Sequence, residues 1–209
     1  IAIHQVLERG GVQYRDFVVV SGAGPIGILA AFLAKSAGAR TVIVTGISKS
    51  AEVRFPVARR LGADICVNVE KEDIQKIVAD LTDGQGADVV IEASGSPAAI
   101  HAAFTLVRTC GRISAIGISG KSEVAIPWDR AIRGVYDVSF NMSSSFTSWP
   151  RALSTLEANC ELLSCYVTAV VGIDDATMRE MNLPLSTLHA ELGRFLEAMA
   201  MARPRAVGL

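Results

Sequence analysis

The chain is short of the features that mark membrane, nucleic-acid-binding or secreted proteins. No apolar run approaches the ~20 residues that a bilayer-spanning helix requires; the longest, Ile26–Ala34, stops at Lys35. Charge of one sign is also lacking. The 20 basic and 21 acidic residues leave a formal net charge of −1, with no long basic block, so neither nucleic acid nor an anionic membrane is an expected partner. Aromatic residues make up only 6% while half of the chain is hydrophobic, so the core must be built from Ala, Val, Ile and Leu. That is the composition of a parallel sheet buried on both faces. The four cysteines, at 66, 110, 160 and 165, show neither Cys-x-x-Cys spacing nor a nearby histidine cluster, which points to reduced thiols and a cytoplasmic setting. His4, His101 and His189 are scattered singly and read as surface or packing residues. No Ser/His/Asp order, HExxH motif or Walker-type lysine occurs. There is no signal peptide. At 209 residues the length suits one large domain or one domain with appendages. The chain begins at Ile1 rather than Met, which suggests a piece of a longer protein.

What is present is concentrated in Gly22-Ala23-Gly24-Pro25-Ile26-Gly27, directly after the apolar run Phe17–Ser21. A strand that ends in Gly-x-Gly-x-x-Gly and runs straight into a helix is a dinucleotide-binding fingerprint. Gly22 permits the tight turn, Gly24 lets the backbone approach a pyrophosphate, and Gly27 lets helix and strand pack closely. Pro25 suits the first helical position because its φ is preset and its missing N–H leaves one fewer unpaired donor. The remaining free N–H groups and the helix dipole face an anion. A ligand-free strand–helix turn would use the same glycines, so the surrounding pattern has to decide.

That pattern is an alternation of strands and helices. Ile1–Arg9 reads as a short helix closed by Gly10-Gly11. Strand one (Phe17–Ser21) is followed by a helix over Pro25–Ala37, whose Ala30, Ala31, Ala34 and Ala37 allow close approach to a sheet. The β-branched run Thr41–Thr45 predicts strand two, and a helix over Ala51–Leu61 and a strand at Asp64–Val67 follow. Ile74, Ile77, Val78 and Leu81 at helical spacing predict a helix over Lys71–Leu81. Further on come a strand at Asp88–Glu92, a helix from Ser96-Pro97 through Val107, and a strand at Gly111–Gly117. An edge strand at Val124–Ile126, a strand at Val135–Asn141 and a helix from Trp149 to Leu156 complete residues 1–158. This order predicts an α/β fold with a doubly wound parallel sheet (the Rossmann fold) and right-handed crossovers. The ligand crevice should lie beyond Ser21-Gly22 and Glu92-Ala93-Ser94-Gly95, where strand order reverses. From residue 159 the pattern changes, with a strand over Tyr166–Gly172, a helix over Ser186–Met201 and a strand at Ala206-Val207. Residues 159–209 therefore read as a segment of another structural unit.

The end of strand two bears on which cofactor fits. A carboxylate about 20 residues past the glycines would bind both ribose hydroxyls of NAD. Gly46 stands there instead, which removes repulsion of a 2′-phosphate, and Ser48, Lys49 and Arg54 could supply donors and positive charge. The loop leans towards NADP(H), although as ordinary solvated surface it would accept either cofactor. Glu92, at the crevice end of its strand, could orient a cofactor hydroxyl or bond to a helix N-terminus.

With these residues in view, the chain resembles the medium-chain zinc-dependent alcohol and polyol dehydrogenases, such as the sorbitol and threonine enzymes. The resemblance rests on Gly22–Gly27, on Ala58-Arg59-Arg60-Leu61-Gly62-Ala63-Asp64, on Gly86–Gly95, and on Gly111-Arg112-Ile113 leading to Ile116-Gly117. It covers residues 1–158 well and is looser through Phe195–Met199 and Arg205–Val207. It implies hydride transfer between NADP or NAD and a small secondary alcohol or polyol. It also implies that Ile116-Gly117 offer backbone bonds to the nicotinamide end, that Ser143 and Ser144 lie near the carboxamide, and that Arg205 reaches the pyrophosphate. A homo-oligomer joined through the Val124–Ile126 edge follows from the same resemblance. Two departures matter. The family's zinc ligands, a Cys and a His-Glu pair, lie in an N-terminal domain that this sequence lacks, so zinc is expected in the full-length protein only and no catalytic residue here. Gly46 replaces the acidic residue of the NAD-preferring members. A stand-alone redox-sensing module and a zinc-free reductase of the same superfamily are the alternatives.

Overall fold

The structure, a computed structural model, describes residues 1–167. Its strands are β1 (Phe17–Ser21), β2 (Thr41–Gly46), β3 (Ile65–Asn68), β4 (Ala87–Glu92), β5 (Val107–Ala115) and β6 (Asp137–Phe140). They form one parallel sheet in the order β3-β2-β1-β4-β5-β6. All five residues of β1 are buried, because helices cover both faces of the sheet. Val18 and Val20 pack into one layer with the α-helices α1 (Pro25–Ser36) and α3 (Arg54–Arg60) and with a π-helix, His4–Arg9. Phe17 and Val19 pack into the other, with α4 (Ile74–Leu81) and α5 (Pro97–Leu106). The alternation of side chains is intact, but both sets meet apolar partners. The expected doubly wound α/β sheet is therefore present.

Several local expectations change. The helix predicted over Ala51–Leu61 is two pieces, α2 (Ser48–Ala51) and α3. Pro56 has no N–H to offer residue 52 and its ring crowds that carbonyl, so the two cannot be continuous. Helix α4 starts at Ile74, because Asp73 Oδ1 accepts the N–H groups of Gln75 (2.9 Å) and Lys76 (3.2 Å). That is the ordinary role of an N-cap carboxylate. Strand β5 spans Val107–Ala115, but its ladder with β4 shifts register and becomes regular only at Arg112. Cys110, within the irregular stretch, has φ +55°.

The largest correction concerns Val124–Ile126, which forms no strand. A parallel β5-to-β6 connection needs a crossover. This one uses an unanticipated helix, α6 (Trp128–Gly134), with Ile126 packed partly into the core beside it. Among the described residues, the edge strand of the sheet on this side is β6. Helix α7 (Ser148–Ala158) follows, then α8 (Cys160–Leu163) and a 3-10 turn, Ser164–Tyr166. Glu8 ties the π-helix to α7: its carboxylate accepts His4 Nδ1 (2.7 Å) and the hydroxyls of Thr147 (2.8 Å), Ser148 (3.0 Å) and Ser145. Apart from Tyr166 and Val167, the expected elements of the tail lie outside the described residues, as does Arg205.

Candidate cofactor-binding site

The strand order reverses between β1 and β4, and a cavity of about 580 Å³ opens at the carboxyl ends of these strands. Its floor is the Gly22–Gly24 turn. Gly22 has φ +110°, a left-handed conformation, and an added Cβ would lie 3.0 Å from Ser94 Cβ. Gly27, one turn into α1, faces the Gly22 carbonyl so closely that a Cβ would overlap its oxygen. Fold geometry alone explains both glycines. Gly24 differs: its φ of −76° and ψ of 179° suit any residue, and nothing lies within 4 Å of an added Cβ. No contact within the described protein requires a glycine there. Pro25 follows at the first position of α1.

One wall of the cavity is Thr45, Gly46, Ile47, Ser50, Arg54 and Val69; the other is Ser94, Ser96 and the Ala98, Ala99 and Ala102 face of α5. Of the residues expected at the site, Gly22, Gly24, Gly46, Arg54 and Ser94 line this space. Pro25, Ile26 and Gly27 stand behind the floor, and Ser48 and Lys49 lie just outside the lining. Ile47, Ser50 and Val69 were not anticipated. Ile47 carried a signal, since it is an apolar residue directly past a strand end and remains 47% exposed.

Glu92, 1% exposed, organises the side of the crevice next to β5. Its Oε1 accepts the N–H groups of Ser94 (2.9 Å) and Gly95 (3.0 Å) and the Ser94 hydroxyl (2.7 Å). Of the two roles considered for Glu92, a bond to a helix N-terminus is not what the carboxylate makes: it closes the turn before Ser96, the N-cap of α5, and accepts no N–H of the helix itself. The Glu92 carbonyl accepts the N–H groups of Ile116 (2.9 Å) and Gly117 (3.3 Å). Gly117 packs against Gly95 and Glu92 Oε2, so a side chain there would overlap both. Gly95, Ile116 and Gly117 are thus bound to the cavity wall through Glu92 without lining it. Ser143 and Ser144 sit in the loop past β6, which Asn141 holds by donating to Ser114 Oγ (2.9 Å). They are two strands away from β4.

The end of β3 also reaches this region. The Ser48 N–H donates to Glu70 Oε2 (2.8 Å), and Asn68 Nδ2 donates to Ser48 Oγ (3.0 Å). The Ser48 hydroxyl, and after it the N–H, hold the Glu70 carboxyl below its ordinary range. Gly46 is glycine for a packing reason: a Cβ would lie 2.9 Å from the Phe55 ring. Among the described residues, no three His, Cys, Asp or Glu side chains converge to hold a metal ion. No helix among them is long and apolar enough to cross a membrane.

A doubly wound sheet with a glycine-floored crevice at its switch point defines the dinucleotide-binding class of α/β domains. Residues 25–158 match the family model described as zinc-binding dehydrogenase, and the chain belongs to that family. It is 37% identical over 153 residues to a sorbitol dehydrogenase of Halalkalibacterium halodurans, covering 73% of this chain and 44% of that protein. It is 36% identical over 175 residues to an L-threonine 3-dehydrogenase of Klebsiella pneumoniae, covering 83% of this chain and 49% of that one. Among solved structures, an alcohol dehydrogenase of Thermotoga maritima superposes with a TM-score of 0.71 at 28% identity, covering 80% of this chain and 46% of that one. The chain spans about half the length of the curated relatives it matches.

Proposed function

We propose that residues 1–158 form the NAD(P)(H)-binding domain of an alcohol or polyol dehydrogenase, and that residues 159–209 lead back towards its catalytic domain. Gly24 carries this reading. Its glycine identity has no cause within the described fold, and a pyrophosphate lying against its backbone supplies one. Gly22, Gly24 and the start of α1 would hold the diphosphate. Ile47, Val69 and the alanine face of α5 would enclose the adenine, while Ile116-Gly117, Ser143 and Ser144 are assigned to the nicotinamide end and Arg205 to the pyrophosphate. Bound nicotinamide supplies the hydride chemistry; the chain's own contribution is to hold and orient it.

The described residues do not fit a zinc ion, so the family's zinc is assigned to ligands outside them. The substrate, a small secondary alcohol or polyol, is likewise assigned to residues outside the described ones. Association of two copies along the edge strand β6 is supported by the exposure of Phe140 (75%) and Trp128 (65%). Four free cysteines, two of them exposed, suit a reducing cytoplasm.

Titration of the full chain with NADH, followed by nicotinamide fluorescence, tests the reading. Saturable enhancement is expected, and no binding of NADH or NADPH would refute it. Cys and His-Glu motifs in the reading frame upstream of Ile1 would support the enzyme. A native start codon with no further domain would instead support a binding module without turnover.

A further inference from the structure

If the cavity binds a nicotinamide dinucleotide, its specificity turns on what occupies the loop beyond β2, where the adenosine ribose would lie. Sequence reasoning took the missing carboxylate at Gly46 and the donors at Ser48 as room for a 2′-phosphate. Two observations change that. Gly46 is small because Phe55 fills the space beside it, so its lack of charge says nothing about the ligand. The Ser48 N–H is already committed to a carboxylate that arrives from the adjacent strand, Glu70. Glu70 is exposed, but the backbone that carries it is held in place. Val69 donates its N–H to the Gly46 carbonyl (3.0 Å), and the Glu70 N–H donates to Asn68 Oδ1 (3.1 Å). Asn68 in turn donates to the Ser48 hydroxyl. The loop beyond β3 is thereby stitched to the loop beyond β2, with Val69 on the cavity wall and Glu70 next to it.

We propose that Glu70 is the specificity-determining carboxylate of this site, supplied by β3 rather than β2, and that it selects NAD(H) against NADP(H). The proposal rests on the cofactor reading above. Glu70 acts in two ways. It occupies the Ser48 donor that a 2′-phosphate would need. Its negative charge, held beside Ser48, would also repel a group that carries roughly −1.5 to −2 at neutral pH. With a 2′-hydroxyl neither penalty arises, and the carboxylate can accept that hydroxyl's proton in a hydrogen bond. Lys49 and the cavity-lining Arg54 carry the opposite charge and are exposed like Glu70, but among the described residues neither side chain is held by a hydrogen bond or ion pair, whereas the Glu70 carboxylate is held by Ser48. Flexible, solvated cations of that kind contribute little and are screened by salt.

The test is a pair of dissociation constants, for NADH and NADPH, measured on the full wild-type chain and on Glu70→Gln and Glu72→Gln. Glu72 is the control: its Oε2 accepts the Asn68 N–H (2.9 Å), away from Ser48. Wild type should bind NADH at least ~10-fold tighter than NADPH. Glu70→Gln should tighten NADPH by ~5–10-fold and leave NADH within about twofold, whereas Glu72→Gln should leave the ratio in place. Equal wild-type affinity for the two cofactors overturns the proposal while leaving the cofactor reading intact. So does an unchanged ratio in Glu70→Gln, or an equal change in Glu72→Gln. Failure of wild type to bind either cofactor overturns both.

Discussion

The contrast between Gly24 and Gly27 can be tested as two substitutions that should move stability and binding in opposite ways. Gly24 precedes α1 as its N-cap, in an extended conformation open to any residue. In Gly24→Asp the new side chain enters empty space. Aspartate caps a helix better than glycine by a few tenths of a kcal/mol, and a carboxylate at a helix N-terminus adds about 0.3–1 kcal/mol. The protein should therefore gain up to ~1 kcal/mol, a rise in Tm of about 2–4 °C for a domain of this size. Its cofactor affinity should nevertheless fall by at least ~100-fold, because the carboxylate stands where the pyrophosphate must lie. Gly27→Ala reverses the sign of the stability change. Alanine gains about 1 kcal/mol of helix propensity over glycine. However, its Cβ meets the Gly22 backbone oxygen, which has no rotamer to escape into. Overpacking of this kind costs about 1–3 kcal/mol, so a net loss of up to ~2 kcal/mol and a lowered Tm are expected. Differential scanning calorimetry and NADH titration of the two variants give the four numbers needed. If Gly24→Asp loses as much stability as Gly27→Ala, or still binds NADH like wild type, the assignment of Gly24 to the ligand is wrong.

Two further outcomes follow from side-chain environments. The Ser145 hydroxyl, followed by His4 and the other groups around it, holds the Glu8 carboxyl at about 2 against an ordinary value of 4.5. A depressed carboxylate contributes stability that is complete above the ordinary value and lost as pH falls towards the folded-state one. Wild type should therefore lose its advantage over Glu8→Gln between pH 4.5 and about 2. Urea midpoints that stay parallel across that window would show that the clamp between the π-helix and α7 is absent in solution. Burial pushes the Cys66 thiol up, and its Sγ points at the Phe55 carbonyl, whereas Cys110 and Cys160 are exposed. Alkylation followed by mass spectrometry should label Cys110 and Cys160 before Cys66, and early labelling of Cys66 would contradict its packing under α3.

The parts of this protein legible in sequence are those fixed by local chemistry. Phe17–Ser21, Thr41–Thr45 and Pro25 onward could be placed to within a residue, because β-branched runs, a helix-starting proline and terminating glycines act over a few bonds. The glycine turn was legible for the same reason, as were the parallel, doubly wound sheet and the crevice beyond Ser21 and Glu92 that a strand–helix alternation implies. Tertiary structure decided whatever depends on residues distant along the chain. Val124–Ile126 has strand-like composition, yet a strand needs a partner, and the connection to β6 gave that stretch none. Gly46 looked like a signal about the cofactor until Phe55 was found beside it. Glu70 is, in sequence, one of several acidic residues in a polar stretch. Only the pairing of β3 with β2 brings it 2.8 Å from Ser48, and no period or motif in the chain encodes that approach.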